Sequence, residues 1–269
     1  MVTTVARCSD TLEILDLSID GYTRYGFSSG ESTTLPDVIR LPRLHTLRLT
    51  NLHGGPLCQR ICNRIDAPNL VDLYFKADCN TVINSAPFMA ILERPGCTLK
   101  SLKVFVGSFF EEALLDALAI LPSLTSLVIR GDTAYNPCTP HHPATHHIMT
   151  CERILKSLES PICPLLETVS FVTCQLYENS LSRMIRARTG TTRINSVRSL
   201  KRVDVVFPPV DIQPGDDFGE GWLGEIQALR NSGLDLRLRY PPQTWKPVTD
   251  VAEHWTGISY DAPTDLRNV

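Results

Sequence analysis

The chain has 269 residues, 43% hydrophobic and 20% charged, with 26 Lys+Arg set against 29 Asp+Glu. That length and balance suit a globular fold with a sizeable core, and a net charge of −3 excludes the broad positive field of a nucleic-acid or anionic-membrane binder. No apolar run approaches a membrane span, the greasiest being the nine residues 113–121 with Asp116 inside it, and the N-terminus lacks a basic-then-apolar signal pattern.

Along the chain, a segment of the form L-x-x-L-x-L keeps returning. It begins at Leu12, Leu44, Leu70, Leu99, Leu124, Leu166 and Leu200, with a degenerate last copy from Leu234 to Tyr240. The first anchors are 32, 26, 29, 25, 42, 34 and 34 residues apart, partly within the usual leucine-rich-repeat period and otherwise lengthened by insertions. The second and third anchors, Leu47 and Leu49 for example, lie two apart. They therefore share one face of a strand, with Arg48 on the other. Pro42, Pro68, Pro122 and Pro164 each stand two residues before a first anchor, just outside the strand, where a missing N–H costs no ladder bond.

Helical periodicity fills the gaps between strands. Residues 35–40 read as a short helix or connector, and 56–65 as a helix carrying Leu57, Ile61 and Ile65 on one stripe. Further helices are expected over 86–92, 110–121, 148–158, 177–187 and 218–229. Glu111 and Glu112 stand in the first turn of the second of these, at the positive end of its dipole. Loops are expected at 21–34, 132–150 and 208–221, and a C-terminal cap or frayed tail at 241–269. The fold class is thus α/β: a leucine-rich-repeat solenoid over residues 5–240, about eight strand–helix repeats with a parallel concave sheet.

The nine cysteines are an odd number without dense spacing or a signal peptide, and read as reduced thiols in a cytoplasmic or nuclear protein. Cys58 and Cys62 read as small apolar residues beside the core. One run, Cys138-x2-His141-His142-x3-His146-His147-x3-Cys151, has zinc-like donors, so a metal-stabilised scaffold is an alternative reading. Its spacing fits no zinc-finger pattern and prolines interrupt it, and neither a metal nor any other cofactor is assigned. An α/β enzyme is the other alternative. The sequence lacks a phosphate-loop, dinucleotide, nucleophile-elbow or metalloprotease motif, and no catalytic residue is assigned.

The phrases at 41–49, 93–102, 121–127 and 163–169, and the ending at 229–238, resemble the repeat region of fungal F-box/leucine-rich-repeat proteins. That resemblance implies a non-enzymatic interaction scaffold that selects protein substrates for a ubiquitin ligase. In the family an N-terminal F-box docks a Skp-type adaptor. Here a repeat strand already starts near Leu12, and Leu35-Pro-Asp-Val-Ile-Arg40 merely echoes the F-box opening. The chain reads as a truncated or F-box-less relative, and adaptor binding is carried to no residue.

The binding site is expected on the concave sheet, whose positions flank and separate the second and third anchors. They hold seven bases (Arg48, Lys76, Lys103, Arg130, Arg202, Arg237, Arg239) and four acids (Asp16, Asp72, Asp204, Asp235). This local excess favours a protein partner with an acidic segment, with no nucleic acid and no membrane. Arg48, Tyr74, Lys103 and Phe105 centre the patch, with Arg130 beside them, because aromatic and arginine side chains dominate interface hot spots.

Overall fold

The prolines that precede the anchors close tight turns. In Leu41-Pro-Arg-Leu44 the N–H of Leu44 donates to the Leu41 carbonyl at 3.1 Å. The same closure joins Leu70 to Ala67, Leu124 to Leu121 and Leu166 to Cys163, at 3.0–3.2 Å. Proline in the second position of such a turn presets φ, so each strand is entered at one fixed angle.

The computed structural model describes residues 9–18, 37–52, 60–77, 86–94, 96–105, 111–131, 151–174, 176–189, 199–207 and 220–239. The first half holds β1 (Ile14–Ser18), β2 (Ile39–Arg40), β3 (Thr46–Leu52), β4 (Ile65–Asp66), β5 (Asp72–Ala77), α1 (Ala86–Leu92) and β6 (Ser101–Phe105). There follow α2 (Glu111–Ala119), β7 (Ser126–Arg130), α3 (Glu152–Glu159), β8 (Thr168–Val172), α4 (Glu178–Thr189), β9 (Arg202–Val206), α5 (Glu220–Asn231) and β10 (Asp235–Arg239). Eight strands form one parallel sheet in the order β1-β3-β5-β6-β7-β8-β9-β10. Apart from the short β2–β4 pair, every strand lies beside its predecessor in sequence. The fold is α/β.

Register converts the sequence motif into two rows. Leu15, Leu47, Leu73, Leu102, Leu127, Val169, Val203 and Leu236 are successive partners, and so are Leu17, Leu49, Phe75, Val104, Ile129, Phe171, Val205 and Leu238. All but the half-buried Leu238 are buried in one continuous apolar core. Each fully buried side chain of this size stabilises by about 1.5–3 kcal/mol.

One hydrogen-bond arrangement recurs at the strand entrances. The carbonyl of Glu13 accepts from two successive N–H groups of the next unit, those of His45 and Thr46. The carbonyls of His45, Val71, Lys100, Thr125 and Glu167 do the same in turn, all at 2.8–3.2 Å. Such repetition satisfies the backbone at each junction by the same means.

The helices contribute to the anchor side. Phe88 of α1 meets Phe75 of β5 edge to face, ring centroids 5.2 Å apart. Between helices run polar links: Arg153 with Glu111 and Glu112, Arg183 with Glu152 and Glu159, Arg186 and Ser182 with Glu225. Arg188 is different, being 2% exposed on the apolar stripe of α4 beside Leu181, Met184 and Ile185. Its guanidinium donates to the carbonyls of Leu158 (2.7 Å), Ser160 (3.1 Å), Cys163 (3.1 Å) and Ile162, around the end of α3.

Two sequence expectations are corrected. The helix expected over 56–65 is helical at 60–62 and over by Cys62, and Ile65–Asp66 is strand β4. The reason lies in its partner: Ile39 donates to the Arg64 carbonyl and Leu41 to that of Asp66, each at 2.8 Å, so β-branched Ile65 enters the core from a strand. For the same reason the expected helix or connector at 35–40 ends in strand β2. The expected loops at 21–34 and 132–150, nearly all of that at 208–221, and the segment 241–269 lie outside the described residues, as does Cys58. No helix among the described residues is long and apolar enough to cross a membrane.

Candidate functional site

Strand alternation places a second set of rows on the face opposite the anchors. One row reads Asp16, Arg48, Tyr74, Lys103, Val128, Ser170, Asp204, Arg237 in register order. In the next row, Phe105 pairs with Arg130, and Lys76 follows Phe75, which pairs with Val104.

Two triplets result. In the first, Tyr74 stands between Arg48 and Lys103, with the Lys103 Nζ 5.1 Å from the ring centroid. In the second, Phe105 stands between Lys76, whose Nζ is 5.0 Å from its ring centroid, and Arg130, whose Cζ is at 5.5 Å. The triplets are offset by one strand, and their rings meet edge to face at 5.7 Å. Each cation–ring contact at a part-exposed position contributes about 0.5–1 kcal/mol.

Charge compensation differs along the face. Arg48 has a carboxylate, Asp16, at 4.0 Å, both well exposed. At the far end, Arg239 bonds Asp204 at 2.8 Å, while Arg202 and Arg237 reach Asp235 at 3.7 and 3.0 Å. Among the described residues, Lys76, Lys103 and Arg130 have no such carboxylate. Burial lowers the pKa of Lys103 below the usual lysine value, and the positive charges of Arg130 and Arg48 push it the same way. The Tyr74 phenol is raised, chiefly by burial against the opposing pull of Arg130. Asp16 adds to the rise and Arg48 works against it. This middle part of the face therefore holds half-buried positive charge that no carboxylate among the described residues compensates.

The five residues singled out from sequence, Arg48, Tyr74, Lys103, Phe105 and Arg130, fall on four neighbouring strands as one patch, with Arg48 at its margin. Lys76 belongs with them and was missed as a centre. Its signal was available: it lies two residues beyond Tyr74, hence on the same face. Asp204 departs from expectation, since it is 4% exposed although its strand position faces away from the anchor core. The Arg239 side chain folds back over it, as the 2.8 Å contact shows.

Among the described residues, no three His, Cys, Asp or Glu side chains gather as metal ligands. The four histidines of the Cys/His run lie outside those residues. Its last member, Cys151, is buried just before α3. A hydrogen bond with the Cys174 thiol, together with burial, pushes the Cys151 thiol far above its ordinary value, which disfavours the thiolate a metal needs. No protein-family model matches the chain, and no curated protein matches it.

Proposed function

We propose that the chain is a non-enzymatic interaction scaffold of leucine-rich-repeat type, and that it selects a protein substrate for an F-box-type ubiquitin ligase. The observation that carries the scaffold reading is the repetition itself: eight parallel strands in sequence order, two unbroken anchor rows, and the same doubled acceptor at successive junctions. Stacked units of that kind present a long regular face whose side chains are free to differ from unit to unit, which is how repeat proteins bind other proteins. The ligase part rests on the likeness of the repeat phrasing to F-box/leucine-rich-repeat proteins.

Photo-crosslinking tests the scaffold reading. A benzophenone side chain at Val128 or Ser170 reports on the face opposite the anchors, and one at Asp116 or Lys156 reports on the helices. Partners should be captured from the first pair of positions; capture confined to the second pair refutes the assignment. Depleting the Skp-type adaptor in cells tests the ligase part. Captured partners should then lose ubiquitin and accumulate, and unchanged levels refute it.

A further inference from the structure

The patch has a chemistry that identifies its occupant, on the reading that the face is a protein-binding one. We infer that Lys76, Lys103 and Arg130, with Arg48 at the margin, receive an extended acidic segment of the partner, crossing the strands with acidic side chains at alternate positions.

Three observations support this occupant. The first is charge complementarity. Elsewhere on the face arginines stand beside aspartates, whereas Lys76, Lys103 and Arg130 have no carboxylate within ion-pair reach among the described residues. An incoming carboxylate gains attraction here without first displacing a carboxylate of the described residues.

The second is spacing. The four cations stand on β3, β5, β6 and β7, consecutive neighbours in the sheet. At about 4.8 Å between strands they span roughly 14 Å. Alternate residues of an extended peptide point the same way and lie about 6.6 Å apart, so three of them cover about 13 Å. A series of carboxylates at alternate positions therefore matches the spread of these strands.

The third is the state of the rings. Lys103 already stands over Tyr74, and Lys76 and Arg130 over Phe105, while the two rings meet edge to face. Little ring face is left for a nucleobase to stack on, which is what single-stranded nucleic-acid sites require. The rings serve here to hold the cationic heads in place. Phe105, between Lys76 and Arg130, keeps those two apart and aimed at separate carboxylates.

Fluorescence anisotropy with the full chain tests the inference. The probes are a labelled twelve-residue peptide with Glu-x-Glu-x-Glu at its centre, the same peptide with Gln for Glu, and an oligo-dT of equal length. The Glu peptide should bind at least tenfold tighter than either control, and its affinity should fall steeply with salt. Lys76→Gln, Lys103→Gln and Arg130→Gln together should weaken it at least tenfold, and Arg237→Gln at the compensated end by less than twofold. Should the triple variant not fold, Lys103→Glu alone takes its place. It should lose the Glu peptide and gain a version with Lys at the central Glu. Equal binding of the Gln peptide, tighter binding of oligo-dT, or variants within twofold of the parent overturn the inference. Failure here is separable from failure of the scaffold reading. If natural partners still crosslink at Val128 or Ser170 while the Glu peptide does not bind, the face is a docking surface and the acidic segment is wrong.

Discussion

Replacing Arg188 by leucine should cost more stability than any surface change in this chain. The guanidinium is 2% exposed and gives hydrogen bonds to four carbonyls at the end of α3 and in the turn after it. Ser160 is exposed and Ile162 partly so, and water can replace the arginine at those two. Leu158 and Cys163 are buried, and their carbonyls would lose charge-assisted bonds of about 1.5–3 kcal/mol each. Cys163 also has φ of 47°, a left-handed backbone that the arginine helps to hold and that costs about 1–3 kcal/mol in a non-glycine residue. Against these stands relief from burying a cation, since burial already lowers the Arg188 pKa. The net loss should be about 3–5 kcal/mol, the lost bonds of the two buried carbonyls less part of that relief. At roughly 2–4 °C per kcal/mol for a chain of this size, the melting midpoint should fall by about 10 °C. Urea titration followed by circular dichroism gives the free energy, and hydrogen exchange at 158–166 shows whether the loss starts there. An Arg188→Leu protein within 1 kcal/mol of the parent would mean that the four bonds only offset desolvation, and would refute the reasoning.

Further outcomes follow from other positions. A Cβ on Gly131 would lie 2.1 Å from the Thr173 carbonyl oxygen, so Gly131→Ala must move backbone. It should destabilise by about 1–3 kcal/mol, readable in the same urea titration. Burial pushes the Cys163 thiol from 9.0 up to about 11, while the unfolded thiol keeps its ordinary value. The folded state therefore holds a proton that the unfolded state releases, and this contribution is complete below about pH 9 and lost as pH rises through about 11. Subtracting the pH–stability curve of Cys163→Ala should isolate a fall confined to that window; parallel curves would refute it. Native-state alkylation at pH 8, mapped by mass spectrometry, should spare Cys151, Cys163 and Cys174, all 2% exposed or less, until the chain unfolds. Phe75→Ala, which removes a fully buried ring and its contact with Phe88, should cost about 3–5 kcal/mol by calorimetry.

Much of the sheet was legible because its cause is local and repeated. Leucines at fixed spacing can satisfy one buried face only as strands, so both anchor rows could be read in advance. The β2–β4 pair could not be, since Ile39–Arg40 and Ile65–Asp66 are two-residue strands whose order comes from each other rather than from their own neighbours. The patch was largely legible for the same reason as the anchors: strand alternation assigns a face without knowledge of contacts. What alternation does not give is which charges compensate one another. Asp204 reads as exposed until Arg239, 35 residues later, is found beside it. Arg188 left a trace that was not used. It falls at helical spacing from Leu181, Met184 and Ile185, so a cation was sitting on an apolar stripe. Its partners, carbonyls of an irregular turn 25–30 residues earlier, have no side-chain signature.

The strand order has one more consequence. Since each new strand of the large sheet is laid beside the last, position along the sheet increases steadily with position along the chain, as marks on a ruler. Seven intervals of about 4.8 Å make that ruler roughly 34 Å long from β1 to β10. Gain or loss of one whole unit would shift everything after it by a single mark and leave each side of the seam intact. Gene-level duplication or deletion within this chain would therefore re-space the side chains of the face opposite the anchors in fixed increments, a change that point substitutions do not offer.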